Sequence, residues 1–349
     1  VFRRGGEVQA DDVLFEASQL AWNDKGRSLA IEGLQMAGRA SQQLSGDAVL
    51  PGMALTASLG RLQYADVASA LELEVEGLSA TDATLSADGE GPLRRFAAQL
   101  ASGPVTVRQG DTALQIESFR TASGGMVSLD SYQVDSDVAV QRLSVATPAL
   151  SNGPLSLAGL ELDGLAITER IMADDVRLRG IALPGGLEET ALRVAGVDLK
   201  GPDFDPAANR LTIDDITIDG LQTAVIRDQA GTWRHVMTPA DAAAETGPSA
   251  PAGAVADGPG RDDPAIAGRL GGIRITGDSH VTLADQLNPD MQPLRYRIER
   301  VEVGEIDTAR AGSDTPFALL LRPDQYSEFA IDGAARPLDE QLYFDATGH

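Results

Sequence analysis

The sequence predicts a mainly β fold: an elongated, curved, repeating sheet of antiparallel or meandering strands whose aliphatic faces form an apolar groove, with few and short helices. Three observations lead there. A bent-strand pattern recurs along the chain, the apolar content is aliphatic rather than aromatic, and glycine falls at the ends of apolar runs.

The clearest copy of the pattern is Leu211–Leu221, LTIDDITIDGL. Leu211 and Ile213 are followed, after Asp214–Asp215, by Ile216 and Ile218, and Gly220 closes the run. Alternation of apolar and polar residues marks a half-buried strand. Here the alternation slips once, and in an ideal strand the second pair would face the opposite side. One extra residue, a β-bulge, returns both pairs to one face and bends the strand. The spacing recurs at Leu29/Ile31/Leu34/Met36, Ala57/Leu59/Leu62/Tyr64, Leu114/Ile116/Phe119/Thr121, Val127/Leu129/Tyr132/Val134 and Val138/Val140/Leu143/Val145. It continues at Leu155/Leu157/Leu160/Leu162, Val176/Leu178/Ile181/Leu183, Leu192/Val194/Val197/Leu199 and, later, Tyr296/Ile298/Val301/Val303. In the middle of the chain the copies start roughly 16–21 residues apart, a period that points to stacked repeats.

Hydrophobic residues make up 43% of the 349 residues and aromatics only 4%, so the apolar layer is Leu, Val, Ile and Ala. This fits a thin repetitive layer better than a compact enzyme with aromatic anchors. The formal net charge of −24 argues against nucleic-acid binding, which needs a basic footprint. Acids alternate with apolar residues in Leu71-Glu72-Leu73-Glu74-Val75-Glu76, which reads as a strand with one wet and one aliphatic face. The chain has no cysteine, so disulfides and thiolate metal sites are excluded. No apolar run is long enough to cross a bilayer as a helix, and no signal peptide opens the sequence. The start at Val1 and the end just after a strand-like run read as an excerpt of a longer protein.

In order, residues 1–237 form the repetitive β-groove region, 238–266 a flexible low-complexity linker, and 267–349 a C-terminal β segment. Ala37–Leu44 is compatible with a helix, and Pro92–Ala101 places Leu93, Phe96, Ala97 and Leu100 at helical spacing. Gln229-Ala230-Gly231 reads as a hairpin loop. Residues 238–266 carry no aromatic and almost no branched aliphatic residue, so burial there cannot offset the entropy of ordering. Proteolysis near Arg261 is the expected first cut.

Catalytic motifs are missing. No Gly-x-Ser-x-Gly elbow, phosphate-binding loop or dinucleotide fingerprint occurs. His235, His280 and His349 lie in unlike contexts, and the acid pairs Asp135/Asp137 and Asp203/Asp205 do not continue into a calcium loop. We expect no enzyme activity, no metal and no cofactor.

The last third carries a resemblance. Ile273-Arg274-Ile275 and Val281-Thr282-Leu283-Ala284-Asp285 precede Pro289 and the run Leu294–Val303. Then come Thr315-Pro316-Phe317-Ala318-Leu319, Phe329-Ala330-Ile331-Asp332-Gly333 and Leu342–Gly348, with Gly231-Thr232-Trp233 upstream. Over 205–349 this order resembles the AsmA-like superfamily, the AsmA/TamB-type repeating β-groove envelope proteins. Where that pattern has an aromatic before the Asp, this chain has Leu283 and Ala284. The resemblance implies a periplasmic protein anchored in the inner membrane through a segment outside this chain. It also implies a taco-shaped sheet conducting phospholipid acyl chains toward the outer membrane, with inner-membrane anchoring and possible outer-membrane partner proteins.

The residues expected to line the groove are Leu157, Leu160, Leu162, Val176, Leu178, Ile181, Leu183, Leu192, Val194, Val197, Leu199, Leu211, Ile213, Ile216 and Ile218. Bent strands with one aliphatic face leave apolar surface toward water, which calls for an apolar guest or a lid. Two other readings stand beside this one: a structural β-repeat spacer or interaction module with a sealed core, and a calcium- or glycan-binding envelope protein using the acid pairs.

Overall fold

The computed structural model describes residues 7–43, 52–87, 94–128, 132–148, 150, 153–184, 192–227, 231–235, 267–288, 290–310, 312–338 and 343–348. Among them the fold is mainly β, and the one helical element is a 3-10 turn at Thr308–Arg310. The expected linker 238–266 lies outside the described residues, as do Leu129 and two of the three expected hairpin-loop residues. The strands flanking that loop pair antiparallel, with Arg227 opposite Trp233, and Gly231 has φ +82°. The chain divides into two compact units, Val1–Thr147 with Ser156–Arg179, and Pro148–Leu155 with Gly180–His349.

The first unit opens as an antiparallel meander: β1 (Glu7–Asp24), β2 (Arg27–Gln43), β3 (Gly52–Asp66) and β4 (Leu71–Ala87). β5 (Arg94–Ser102) and β6 (Val105–Gln109) are two halves of one line, both pairing with β4 on one side and β7 (Thr112–Val127) on the other. β8 (Tyr132–Ala146) pairs with β7. β9 (Leu155–Ile167), β10 (Ile171–Met172) and β11 (Asp175–Leu183) follow.

Two readings of local sequence are corrected here. From Arg94 onward the stretch Pro92–Ala101, with its helical spacing, is the strand β5, and the helix-compatible Ala37–Leu44 is extended through Gln43 in β2; Pro92, Leu93 and Leu44 lie outside the described residues. In β5 the side chains alternate between exposed Arg95, Ala97 and Gln99 and shielded Arg94, Phe96, Ala98 and Leu100. Pairing on both sides supplies ladder bonds that isolated helical spacing cannot match, so tertiary context overrides it.

The bends of the first unit line up. Register places Gly33 opposite Gly60, Gly60 opposite Gly77, and Gly77 beside Gly103, across β2, β3, β4 and the β5–β6 junction. Gly33 and Gly77 have φ +63° and +60°, in the left-handed region where glycine carries no Cβ penalty. A Cβ on Gly103 would lie 3.1 Å from the Glu76 carbonyl oxygen. These glycines sit where the aliphatic pairs break step, between Ile31 and Leu34 of β2 and between Leu59 and Leu62 of β3. Half-burial follows the aliphatic residues across the break, while Ser58 and Gln63 stay exposed.

The second unit holds β12 (Leu192–Lys200), β13 (Asp203–Asp205), β14 (Arg210–Ile213), β15 (Asp215–Asp219), β16 (Gln222–Arg227), β17 (Trp233–His235), β18 (Ala267–Leu270), β19 (Ile273–Thr276) and β20 (Ser279–Asp285). It ends with β21 (Leu294–Val303), β22 (Ile306–Asp307), β23 (Thr315–Arg322), β24 (Phe329–Arg336) and β25 (Tyr343–Gly348). Most pairings are antiparallel, but β14, β15 and β16 run parallel to β18, β19 and β20. Parallel neighbours require a long crossover, and residues 228–266 connect the two lines. Asp214 interrupts β14 and β15, and Gly271–Gly272 interrupts β18 and β19 at the same level. In β21, Glu299 is the extra residue of a bulge, since Ile298 faces Leu321 and Arg300 faces Leu320.

Candidate functional site: an aliphatic face

Directly opposed residues on neighbouring strands share a face, so the registers trace rungs across each unit. In the second unit one rung runs Val197–Ile218–Ile275–Val301–Leu319–Ile331, across β12, β15, β19, β21, β23 and β24. A second runs Leu199–Ile216–Ile273–Val303–Phe317–Gly333 on the same strands. Between them lies a third rung of the opposite face, Asp198–Thr217–Arg274–Glu302–Ala318–Asp332. One surface is therefore mainly aliphatic, ending in Phe317 and Gly333 on one rung, and the other mainly polar. The bulge at Glu299 keeps Ile298 on the aliphatic face with Val301, because their partners Leu321 and Leu319 are two residues apart on a regular strand.

The first unit repeats the arrangement with other residues. Leu20–Ile31–Leu62–Val75–Val105–Ile116–Leu143 form one rung from β1 to β8, and Trp22–Leu29–Tyr64–Leu73–Val107–Leu114–Val145 the next. The rung between them is polar, Gln63–Glu74–Thr106–Gln115–Ser144 with Ala21 and Ala30 at its edge. Beyond the glycine line the aliphatic face turns partly polar. Thr121, Ser123 and Ser136 hydroxyls bond one another at 2.6–3.0 Å, and Thr121 and Ser136 are buried.

Of the fifteen residues expected to line a groove, Val197, Leu199, Ile216 and Ile218 fall on the two long rungs of the second unit. Leu192 faces Thr223, which faces Val281, which faces Tyr296. Leu211 lies between Phe204 and Gly268, and Ile213 beside Leu270. Ile181, Leu183 and Val194 complete the set in this unit, with Leu183 and Val194 buried at 3% and 6% exposure. Leu157, Leu160, Leu162, Val176 and Leu178 lie in the first unit on β9 and β11. The other thirteen residues of the set are half-buried, and none is fully exposed.

Sequence reasoning missed the continuation through Ile273, Ile275, Val301, Val303, Phe317, Leu319 and Ile331. Its bulged spacing was visible in Tyr296–Val303, but pairing across the parallel junction leaves no local signal. Few apolar side chains are sealed. Among the described residues the buried ones are Val140, Ala173, Leu183, Val194, Ala224, Ile298 and Ala330. Leu, Val and Ile along the rungs keep part of their surface open, so the aliphatic layer is not closed over as a core would be.

The polar face is laced with ion pairs. Arg61 pairs with Glu74, Arg142 with Glu117, Arg300 with Asp332 at 3.0 Å, and Arg177 with Asp163, Asp175 and Glu161 at 2.6, 3.0 and 3.7 Å. Exposed pairs of this kind are screened by solvent, so they keep this face wet rather than hold the fold. A concavity of about 580 Å³ on this face rests on small side chains, Ala21, Ala30 and Ala65, walled by Gln63, Glu72, Glu74 and Arg108. Among the described residues no three His, Asp or Glu side chains converge as metal ligands, and no helix is long and apolar enough to cross a membrane.

His280 sits on the polar face opposite Arg297, and Arg295 Nη2 donates to its Nδ1 at 2.9 Å. Burial first, and then the charge of Arg295, hold its pKa below the usual histidine value. The unfolded chain therefore takes up this proton before the folded one. Stability contributed by neutral His280 is present above about pH 6.5 and is lost progressively as pH falls from there through the lower folded-state pKa. Urea midpoints should drop between about pH 7.5 and 5.5, and His280→Gln should flatten that drop; an unchanged slope in the variant would assign it elsewhere.

No family model, curated protein or solved structure matches the chain.

Proposed function

We propose that the chain holds the acyl chains of phospholipids along its aliphatic face and conducts them between inner and outer membranes as a non-enzymatic envelope protein. The observation that supports this reading is the pair of mainly aliphatic rungs in each unit, crossing six strands of the second unit, where one rung ends in Phe317 and Gly333, and seven of the first, where one rung includes Trp22 and Tyr64. Fully burying one Leu, Val or Ile side chain contributes roughly 1.5–3 kcal/mol. Successive rungs of half-covered residues therefore favour an apolar guest that is long, thin and without directional polar demands. An acyl chain has that chemistry. Sliding along such a surface needs no catalytic group, and the acidic opposite face keeps the outside solvated. The sealed-spacer reading draws on Leu183, Val194 and Ile298, which are already buried without a guest.

The test is a photo-crosslinking residue at Val197 or Ile216, with Asp198 or Thr217 as the control on the polar rung between. Phospholipid adducts at the first pair and not the second are the expected result. Equal labelling of both faces, or none on folded protein, would leave the sealed spacer as the better account. Native mass spectrometry separates the third reading, since bound Ca²⁺ or glycan in place of lipid would support it.

A further inference from the structure

We infer that Ser102, Thr121, Ser123 and Ser136 form a polar seat on the aliphatic face of the first unit for the ester end of a diacyl glycerolipid. The inference rests on the acyl-binding reading and narrows it to ester-linked lipid. Register gathers the four hydroxyls. Thr121 of β7 lies between Leu100 and Val138. Two residues further along β7, Ser123 lies between Ala98 and Ser136, and two residues back, Phe119 lies between Ser102 and Val140. Thr121 takes the fourth apolar position of the repeated spacing Leu114/Ile116/Phe119/Thr121. Beyond Ser123 the rung Ala40–Met53–Leu85–Phe96–Gly125–Val134 has no polar side chain. The hydroxyls are therefore a polar island on an apolar face.

Their hydrogen bonds leave donors to spare. Ser102 is 8% exposed, and its Oγ has no hydrogen-bond partner among the described residues. A buried hydroxyl without a partner is costly, and native structures seldom leave one without a reason. Thr121 Oγ1 and Ser136 Oγ are 2.6 Å apart, Ser123 Oγ and Ser136 Oγ 2.8 Å, and Thr121 Oγ1 and Ser123 Oγ 3.0 Å. Each hydroxyl has one proton, so three mutual bonds require a closed ring that bends each bond away from linear. The longest side, between Thr121 and Ser123, is the one most readily exchanged for an outside acceptor. Ser123 is half-buried, which leaves that side open. The seat thus supplies two donors, one from Ser102 and one from the Thr121/Ser123 pair.

Charge selects the acceptor. The residues facing the hydroxyls, Ala98, Leu100, Phe119 and Val138, carry none. An anionic phosphate would be desolvated there without a cation, which is costly. A neutral carbonyl is not penalised in this way and accepts from a hydroxyl directly. Ser102 and Thr121 are diagonal neighbours on adjacent strands, roughly 7 Å apart, a separation suited to two acceptors on one small backbone. Two neutral carbonyls, each at the root of an acyl chain, are what a diacyl glycerolipid presents. Its chains would lie on the flanking apolar rungs and its headgroup outside the seat.

The test offers the full chain two phospholipids together, identical in headgroup and chain length, one diester and one diether. Native mass spectrometry counts each. The diester should be retained about tenfold over the diether. Ser102→Ala and Thr121→Val should each lower that ratio, and the double variant should bring it to about one with total lipid unchanged. Thr121→Ser keeps the hydroxyl and should keep the ratio. Circular dichroism checks each variant, and the wild-type comparison decides the question even where a variant fails to fold. Equal retention of the two lipids by the wild type, or a preference that survives in the folded double variant, would overturn this inference and leave acyl binding standing. No lipid of either kind on the folded chain would overturn the acyl-binding reading as well.

Discussion

Gly271→Ala is expected to lower the stability of the second unit by about 3 kcal/mol, at the top of the usual range for overpacking. A Cβ at this position would lie 2.1 Å from the Asp214 carbonyl oxygen and 3.1 Å from its carbon. The obstacle is backbone, not a flexible side chain. It sits where the breaks in β14–β15 and β18–β19 face each other, and where Gly271 N–H donates to the Ile213 carbonyl at 2.9 Å. Relief would break that bond and separate the parallel lines. Gly272→Ala is the matched control, since its nearest obstacle is the Val303 carbonyl oxygen at 3.2 Å. Urea midpoints by circular dichroism, with hydrogen exchange over Leu211–Asp219, measure both. Equal and small losses would show that the break tolerates a side chain and that the bend is not fixed there.

Ile275→Asp is expected to cut phospholipid retention roughly tenfold or more, since one fully buried aliphatic side chain is worth about 1.5–3 kcal/mol. Ile275 lies mid-rung, between Ile218 and Val301. A carboxylate there places unpaired charge where the guest would run, a costly position for an acyl chain. Thr217→Asp lies on the polar rung and should leave retention unchanged. The readout is lipid bound per folded chain by native mass spectrometry, with circular dichroism checking that both variants fold. Normal retention in Ile275→Asp would remove this face from any lipid path.

Much of this was legible in residue spacing. The alternation around Asp214–Asp215 and Glu299–Arg300 marks real interruptions, and the acidic alternation Leu71–Glu76 lies with Leu73 and Val75 on the aliphatic face. Two things were not legible. Phe96, Ala97 and Leu100 satisfy a helical period, yet they lie in a strand, because period alone cannot register partners on either side. The candidate face also appeared to stop near Ile218. Its continuation depends on which strand lies beside β15, and that strand begins more than fifty residues later in the sequence, across the parallel junction. Spacing reveals what one strand buries; it carries no information about a neighbour brought in by a long connection.

That junction has a consequence for how the chain reaches its native state. Hairpins such as β23 with β24 join residues close in sequence, so the meanders can zip locally. Pairing β16 with β20 instead closes a loop between residues 58 apart, as in the bond from Leu221 N–H to Ser279 Oγ at 2.8 Å. Loop-closure entropy grows with loop length, and non-local parallel pairing is slow. Ser279, with no exposed surface, also donates to the Thr276 carbonyl at 2.7 Å. It becomes shielded only when both flanking lines are in place. Refolding should therefore show early strand signal and a later phase that protects Ser279, and shortening the 236–266 connection should change the late rate more than the early one.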